Sequence, residues 1–226
     1  MYQLFIANKN YSSWSLRPWL LLRQLEIPFG EELVTFEEGG SWDKFRRFAP
    51  NGLVPCLVDG EATVWDSLAI AEYLAEEHPG IWPVEKGSRA WARCAAAEMH
   101  SGFFALRDIC SMNCGVRVQL AEIPAKLQKD IDRIDELWCE GLRRFGGPYL
   151  AGEEFTAVDA FFAPVAIRAK SYSLPLSDTA AAYAERLLQL PAMQAWIAEA
   201  LQEPWREVGH EEELLRAGAI LEDLRQ

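Results

Sequence analysis

The sequence predicts a small α/β domain followed by an all-α domain. Three observations carry this. Strand-like runs of aliphatic and aromatic residues fall within the first eighty residues, separated by one clear helical stretch and closed by another. A proline- and glycine-bearing segment, Pro79 to Pro83, then interrupts the chain. Beyond it the apolar residues recur at helical spacing, and no strand pattern is expected.

Tyr2 to Ala7 reads as the first strand, and a polar stretch, Asn8 to Ser13, follows. A helix is expected from Ser15 to about Leu25, with Ser15 as N-cap. Pro18 then lies in the first turn, where its missing N–H has no helical partner. Leu33 to Phe36 reads as a second strand, and Gly39 to Pro50 as a loop with a short helix. Leu53 to Val58 reads as a strand entered through Pro55, and Ala62 to Trp65 as its return, so Asp59-Gly60 marks a hairpin. Asp66-Ser67 caps a helix to about Glu77. The order is β-α-β-(loop/helix)-β-β-α over residues 1–79, and residues 80–87 read as a linker.

Residues 88–226 read as helices. One long helix is expected from Arg89 to about Asn113. A second runs from Ile123 to Phe145, with Leu127, Ile131, Ile134, Leu137 and Trp138 on one face and Gly146-Gly147-Pro148 as its stop. Further helices are expected at Val158–Lys170, Ala180–Leu188 and Ala192–Leu201. Trp205 to Gln226 carries no usable motif.

Composition narrows the function. The chain has 226 residues and a net charge of −12, so nucleic-acid phosphates and anionic lipid surfaces repel it. No apolar run approaches the roughly 20 residues needed to cross a bilayer. Met1 to Lys9 is too short for a secretory signal, and a cytoplasmic location is expected. The five cysteines include no CxxC, and the three histidines are scattered, so no metal site is expected. Cys110 and Cys114, four apart, would share one face of a helix.

Four local patterns bear on chemistry. Tyr11-Ser12-Ser13-Trp14-Ser15 places hydroxyls before a helix, where the free N–H groups and the helix dipole favour an anion. Such a site lowers a thiol's pKa and holds a thiol ligand as thiolate. The plain alternative is a cap and turn. A serine hydrolase would need a G-x-S-x-G elbow, which is absent. Val54-Pro55 is an edge device if trans. If cis, it turns the Val54 backbone toward an extended ligand. Only about 5–6% of X–Pro bonds are cis, so the residues alone favour trans. Asp66-Ser67 is either a simple N-cap or a site for a ligand's ammonium and carboxylate. Thr156-Ala157-Val158-Asp159 fits a capping box, with Asp in place of Glu.

Taken in order and spacing, these patterns resemble the cytosolic glutathione transferase family from Tyr2 to about Pro204. Asn51-Gly52-Leu53-Val54-Pro55, the run Trp65 to Leu74, and Phe155 to Asp159 are close to family form. Ser12-Ser13-Trp14-Ser15-Leu16-Arg17 looks most like the zeta class, whose motif is Ser-Ser-Cys followed two residues on by a Trp-Arg pair. The resemblance implies a thioredoxin-like glutathione-binding domain and a helical second domain. It also implies a homodimer, glutathione as co-substrate, no metal, and a role in detoxification. Ser12 would stabilise the glutathione thiolate, with Ser13 as its rival. Val54 would pair its backbone with glutathione, and Pro55 would be cis. Asp66 and Ser67 would hold the γ-glutamyl ammonium and carboxylate. Phe103, Phe104 and Arg107 would line the electrophile pocket. Two departures stand out. Trp14 replaces the zeta cysteine, and Ser171 stands where a substrate-holding arginine is expected, with Arg168 one turn away as a substitute. Conjugation of glutathione to a small electrophile is the leading function. The others are a maleylacetoacetate-type isomerase, a peroxidase, or a non-catalytic scaffold.

Overall fold

A computed structural model describes all 226 residues. The chain opens with strand β1 (Tyr2–Ile6), helix α1 (Ser13–Gln24), strand β2 (Phe29–Leu33) and a single helical turn, α2 (Trp42–Phe45). The hairpin β3 (Cys56–Asp59) and β4 (Ala62–Val64) follows, then helix α3 (Ser67–Ala75). The four strands form one sheet in the order β2-β1-β3-β4, with β1 parallel to β2 and antiparallel to β3. Leu4, Ile6 and Leu57 point into the core from the central strands. The expected hairpin is present, with Asp59 opposite Ala62 and Gly60 at φ +57° in the turn.

Three expectations for this part need correction. Helix α1 begins two residues earlier than expected, with Ser12 rather than Ser15 at the cap. Pro18 is therefore the sixth residue of α1, inside the helix, where it removes a donor to the preceding turn. The second strand is Phe29–Leu33, not Leu33–Phe36. It is an edge strand whose register against β1, Tyr2 with Phe29 through Ile6 with Leu33, outweighs the higher β-propensity of the residues after it. The Val54–Pro55 bond is cis, as the family resemblance implies, and Trp65–Asp66 is a second cis bond that no sequence feature suggested.

The second part contains α4 (Lys86–Ser101), α5 (Phe104–Ile109), β5 (Val116–Leu120), α6 (Ala125–Phe145), α7 (Ala157–Tyr172), α8 (Asp178–Leu188), α9 (Pro191–Leu201), α10 (Val208–Ala217) and β6 (Gly218–Asp223). The expected helix Arg89–Asn113 is in fact two helices and a loop. Gly102 ends α4, and Phe103 adopts a left-handed φ of +59° that turns the chain. Cys110 and Cys114 therefore share no helix: Cys110 follows the last residue of α5 and Cys114 lies in the next loop. The expectation of no strands also fails. Val116-Arg117-Val118-Gln119-Leu120 alternates and pairs antiparallel with β6 from the chain's far end.

Helix α6 buries the expected stripe from Leu127 to Trp138 and ends at Gly146 in the left-handed conformation. Helix α7 is buried along almost its whole length and packs against α1, α4 and α8. Its N-terminus has the capping box: the Asp159 carboxylate accepts from the Thr156 N–H at 2.9 Å. One continuous apolar core runs through both parts. No helix is long and apolar enough to cross a membrane.

Candidate active site

The turn between β1 and α1 is fastened from both sides. The Asn8 carbonyl accepts from Tyr11 and Ser12 N–H groups at 3.1 and 2.8 Å, and the Asn8 side chain accepts from Phe36 N–H at 2.8 Å. From the helical part, the Glu203 carboxylate accepts from Lys9 N–H at 2.7 Å and Asn10 N–H at 3.2 Å. Trp196 Nε1 donates to the Lys9 carbonyl at 3.0 Å, and Cys114 N–H donates to Asn10 Oδ1 at 3.0 Å. The buried Lys9 ammonium reaches Glu31 at 2.6 Å and also pairs with Glu199. The serine-bearing turn is thus held by α9 and the segment after it as firmly as by its own sheet.

A cavity of about 310 Å³ opens at this turn. Tyr11, Ser12, Ser13 and Trp14 form its floor. Phe36, Phe45, Leu53 and Val54 form the wall from the sheet part. The opposite wall comes from the helical part: Arg107, Ser111, Met112 and Arg168, with His210 and Glu213 from α10.

Electrostatics make this cavity unlike the rest of the chain. Arg107 and Arg168 both depress the pKa of Arg17, Arg107 also depresses that of Arg168, and none of the three is paired with a carboxylate at salt-bridge distance. Burial comes first in lowering each, and pushes Arg168 down to about 10 with Arg107 adding to the effect. Arg168 Nε donates to the Cys110 carbonyl at 2.7 Å; Arg107 Nε donates to the Gly102 carbonyl at 3.0 Å. The Trp14 ring lies against two guanidinium groups, 4.1 Å from Arg17 and 4.7 Å from Arg107. Arginines without a salt-bridge partner in a low-dielectric wall attract anions although the net charge is −12 and Glu213 shares the cavity.

Tyr11 lines the cavity, but its hydroxyl donates to Glu211 at 2.7 Å. Burial and that carboxylate push the phenol up to about 12. It is poorly suited to stabilising a thiolate. The remaining hydroxyls at the floor belong to Ser12 and Ser13. Ser12 is the N-cap of α1 and makes no side-chain bond to the helix's own amides.

Of the residues singled out from sequence, Ser12, Ser13, Val54 and Arg107 meet in this cavity. Pro55 lies beneath Val54, buried and cis. Asp66 and Ser67 do not line the cavity, but both are tied to it. Asp66 caps α3 through the Leu68 N–H at 3.0 Å and faces His100 Nε2 at 3.2 Å. Ser67 Oγ accepts from Arg17 Nη1 at 3.4 Å. Phe103 and Phe104 stand apart: Phe103 is in the core, and Phe104 is 75% exposed. The break at Gly102 turns both away from the cavity. Ser171 is also absent from the cavity. It is buried, and its hydroxyl donates to the Asn113 carbonyl at 2.8 Å. Arg168 takes the cavity position instead. Sequence reasoning missed Phe36, Phe45, Ser111, Met112, His210 and Glu213. The last two come from a tail with no motif, which is brought here by the pairing of β6 with β5 and by Glu211 bonding Tyr11 and Arg225. No group of three or more potential metal ligands occurs.

Residues 11–77 match the family described as "Glutathione S-transferase, N-terminal domain", and residues 117–199 match "Glutathione S-transferase, C-terminal domain". A probable maleylacetoacetate isomerase of Vibrio cholerae serotype O1 is 32% identical over 165 residues, 69% of this chain and 76% of that protein. The chain belongs to the glutathione S-transferase family. It is also 31% identical over 124 residues to a zeta-class glutathione S-transferase of Euphorbia esula, covering 54% of this chain and 55% of that one. These relatives place it near the zeta class. Among solved structures, the theta-class enzyme of Xanthomonas axonopodis pv. citri, crystallised with glutathione bound, shares the fold. Its TM-score is 0.63 at 24% identity, over 87% of this chain and 96% of that one. The chain is a glutathione transferase by family, with a thioredoxin-like sheet part and a helical second part.

Proposed function

We propose that the cavity binds glutathione with its sulfur at Ser12, and that the thiolate attacks a small electrophile held against Arg107 and Arg168. The observation that carries this reading is the pair of Ser12 and Ser13 hydroxyls at the α1 N-terminus, opening into a cavity whose far wall is cationic. A helix N-terminus and a hydroxyl donor both favour a thiolate over a thiol. Attack by that sulfur forms the S–C bond and expels the leaving group with its electron pair. The residues 1–79 serve as the glutathione domain, and 88–226 supply the electrophile side. Val54 pairs its backbone with the cysteinyl portion, and Asp66 and Ser67 receive the γ-glutamyl ammonium and carboxylate. A homodimer in the cytoplasm fits the family habit.

A second reading has support of its own. The Vibrio cholerae relative is named as an isomerase, and Arg168 stands in the cavity where a carboxylate of an unsaturated diacid would need a partner. In that reaction the thiolate adds to a double bond, the adduct rotates, and the thiolate leaves again, so glutathione is regenerated.

Calorimetric titration with glutathione tests both readings, and no binding at millimolar concentration leaves the scaffold alternative. Given binding, Ser12→Ala should lower conjugation of a chromogenic aryl halide about a hundredfold, the usual effect of removing one donor from a developing anion. Full activity in Ser12→Ala with loss in Ser13→Ala transfers the role to Ser13. A cis–trans assay with an unsaturated diacid separates isomerase from transferase.

A further inference from the structure

Arg17 lies in the second turn of α1, 1% exposed and outside the cavity lining. Its guanidinium is clamped between two rings, 4.1 Å from Trp14 and 4.9 Å from Phe161. Nη1 donates to Ser67 Oγ at 3.4 Å, while Nε and Nη2 are buried without a partner. A buried cation is costly unless an anion neutralises it. Asp66 offsets this one only from a distance, against burial and the charges of Arg107 and Arg168.

The direction of the Arg17–Ser67 bond is fixed by chemistry, because a guanidinium has donors and no acceptor. Ser67 Oγ therefore accepts, and its own hydrogen enters no other bond. Ser67 opens α3, a nine-residue helix. In the first turn of α3 the Leu68 N–H goes to Asp66 Oδ1 at 3.0 Å, whereas the Ser67 and Ala69 N–H groups have no partner in the chain. This turn is open to solvent: Ala69 is exposed, and the Asp66 side chain is 45% exposed. Free amides thus face outward, and an unneutralised cation backs them from inside.

We infer that Arg17 is a positioning residue that makes the α3 N-terminus selective for a carboxylate: its buried charge, passed on through the Ser67 hydroxyl, favours the γ-glutamyl carboxylate over a neutral group. The inference rests on the reading above that this carboxylate lies at Ser67. The helix end supplies donors and a partial positive charge, and Arg17 adds a full charge in a low-dielectric setting. The two charges of the γ-glutamyl group then meet opposite partners, the ammonium at Asp66 and the carboxylate at Ser67 backed by Arg17. Trp14, the departure from the zeta motif, holds the guanidinium by its face.

The test is calorimetric binding of three peptides to the full chain. They are glutathione, γ-aminobutyryl-Cys-Gly, which lacks only the γ-glutamyl carboxylate, and glutaryl-Cys-Gly, which lacks only the ammonium. The affinity of glutathione relative to the first analogue reads the carboxylate, and relative to the second it reads the ammonium. Arg17→Met should shrink the carboxylate ratio by about tenfold and leave the ammonium ratio within about twofold. Equal losses for all three peptides, or no losses, make Arg17 a packing residue and overturn the inference. Ser67→Ala separates this from the reading beneath it. A carboxylate ratio lowered in Ser67→Ala but wild-type in Arg17→Met overturns the role of Arg17 and keeps the carboxylate at Ser67. A wild-type ratio in both variants overturns that placement too. Should Arg17→Met not fold, Arg17→Gln removes the charge and keeps a donor for Ser67. A wild-type carboxylate ratio there overturns the inference.

Discussion

Replacing Asp159 by alanine removes one carboxylate and strands the donors it serves. Oδ1 accepts from the Leu150 N–H at 3.0 Å and the Tyr183 hydroxyl at 2.8 Å. Oδ2 accepts from the Thr156 N–H at 2.9 Å and, more weakly, the Thr156 hydroxyl at 3.4 Å. Asp159 is fully buried, and Leu150 and Tyr183 are nearly so. Each buried donor left without a partner costs about 1–3 kcal/mol, so the Leu150, Thr156 and Tyr183 groups together imply a loss of at least about 3 kcal/mol. That is a large share of a total stability of roughly 5–15 kcal/mol. Asp159→Asn keeps one acceptor oxygen and turns an NH₂ toward the other donors, so a loss of about 2–3 kcal/mol is expected. Tyr183→Phe removes one donor, strands none, and should cost about 1 kcal/mol. Urea unfolding followed by tryptophan fluorescence gives the three midpoints. Burial pushes the Asp159 carboxyl up to about 6 against its hydrogen bonds, so the measurement belongs near about pH 8, where it is ionised. The expected order of loss is Asp159→Ala, then Asp159→Asn, then Tyr183→Phe. A loss under about 2 kcal/mol in Asp159→Ala, or Tyr183→Phe as the costliest of the three, refutes the counting of stranded donors.

Tyr11→Phe should keep aryl-halide conjugation within about threefold, since the phenol is committed to Glu211, while tryptic cleavage within 205–226 speeds up. A loss as large as that of Ser12→Ala would make Tyr11 the thiolate donor. Arg168→Met should weaken turnover of a carboxylate-bearing electrophile by about tenfold or more relative to a neutral one of similar size; equal losses would show that Arg168 only supports the wall. His100 is lowered below its usual pKa, mainly by burial. The unfolded chain then takes up its proton first as pH falls through about 6.5, and the folded state loses stability toward acid. In His100→Gln the fall in melting temperature on acidification should be shallower than in the wild type, and an unchanged slope would contradict the burial argument.

Much of the sheet part was legible because the signals are local. Asp66 caps α3 as its sequence predicts, and Asp59-Gly60 turns the hairpin. Thr156 and Asp159 form their box within four residues. Where a local rule met a tertiary demand, the local rule lost. Ser15 has the chemistry of an N-cap, but its hydroxyl is needed inside, between Ala7 and Ser12, and the cap moved to Ser12. Leu33 to Phe36 has strand composition, but the β1 register stops the strand at Leu33 and leaves Phe36 to line the cavity.

The helical wall of the cavity was legible only in part, for a different reason. Arg17, Arg107 and Arg168 lie on three helices distant in sequence, and only the family resemblance singled out Arg107 and Arg168 in a chain dominated by acid. Their convergence depends on α7 packing against α1, and on the break at Gly102 that turns Arg107 inward while sending Phe104 to the surface. The tail completes the wall by a similarly non-local route. Arg225 pairs with Glu211 and Asp223 and reaches the Tyr11 hydroxyl at 3.4 Å, while β6 pairs with β5. His210 and Glu213 are thereby fixed over the serine turn by residues from both ends of the chain. The serine turn is therefore carried by short motifs that survive as sequence, whereas the opposite wall of the cavity is carried by the way distant helices and the tail close around the same serines.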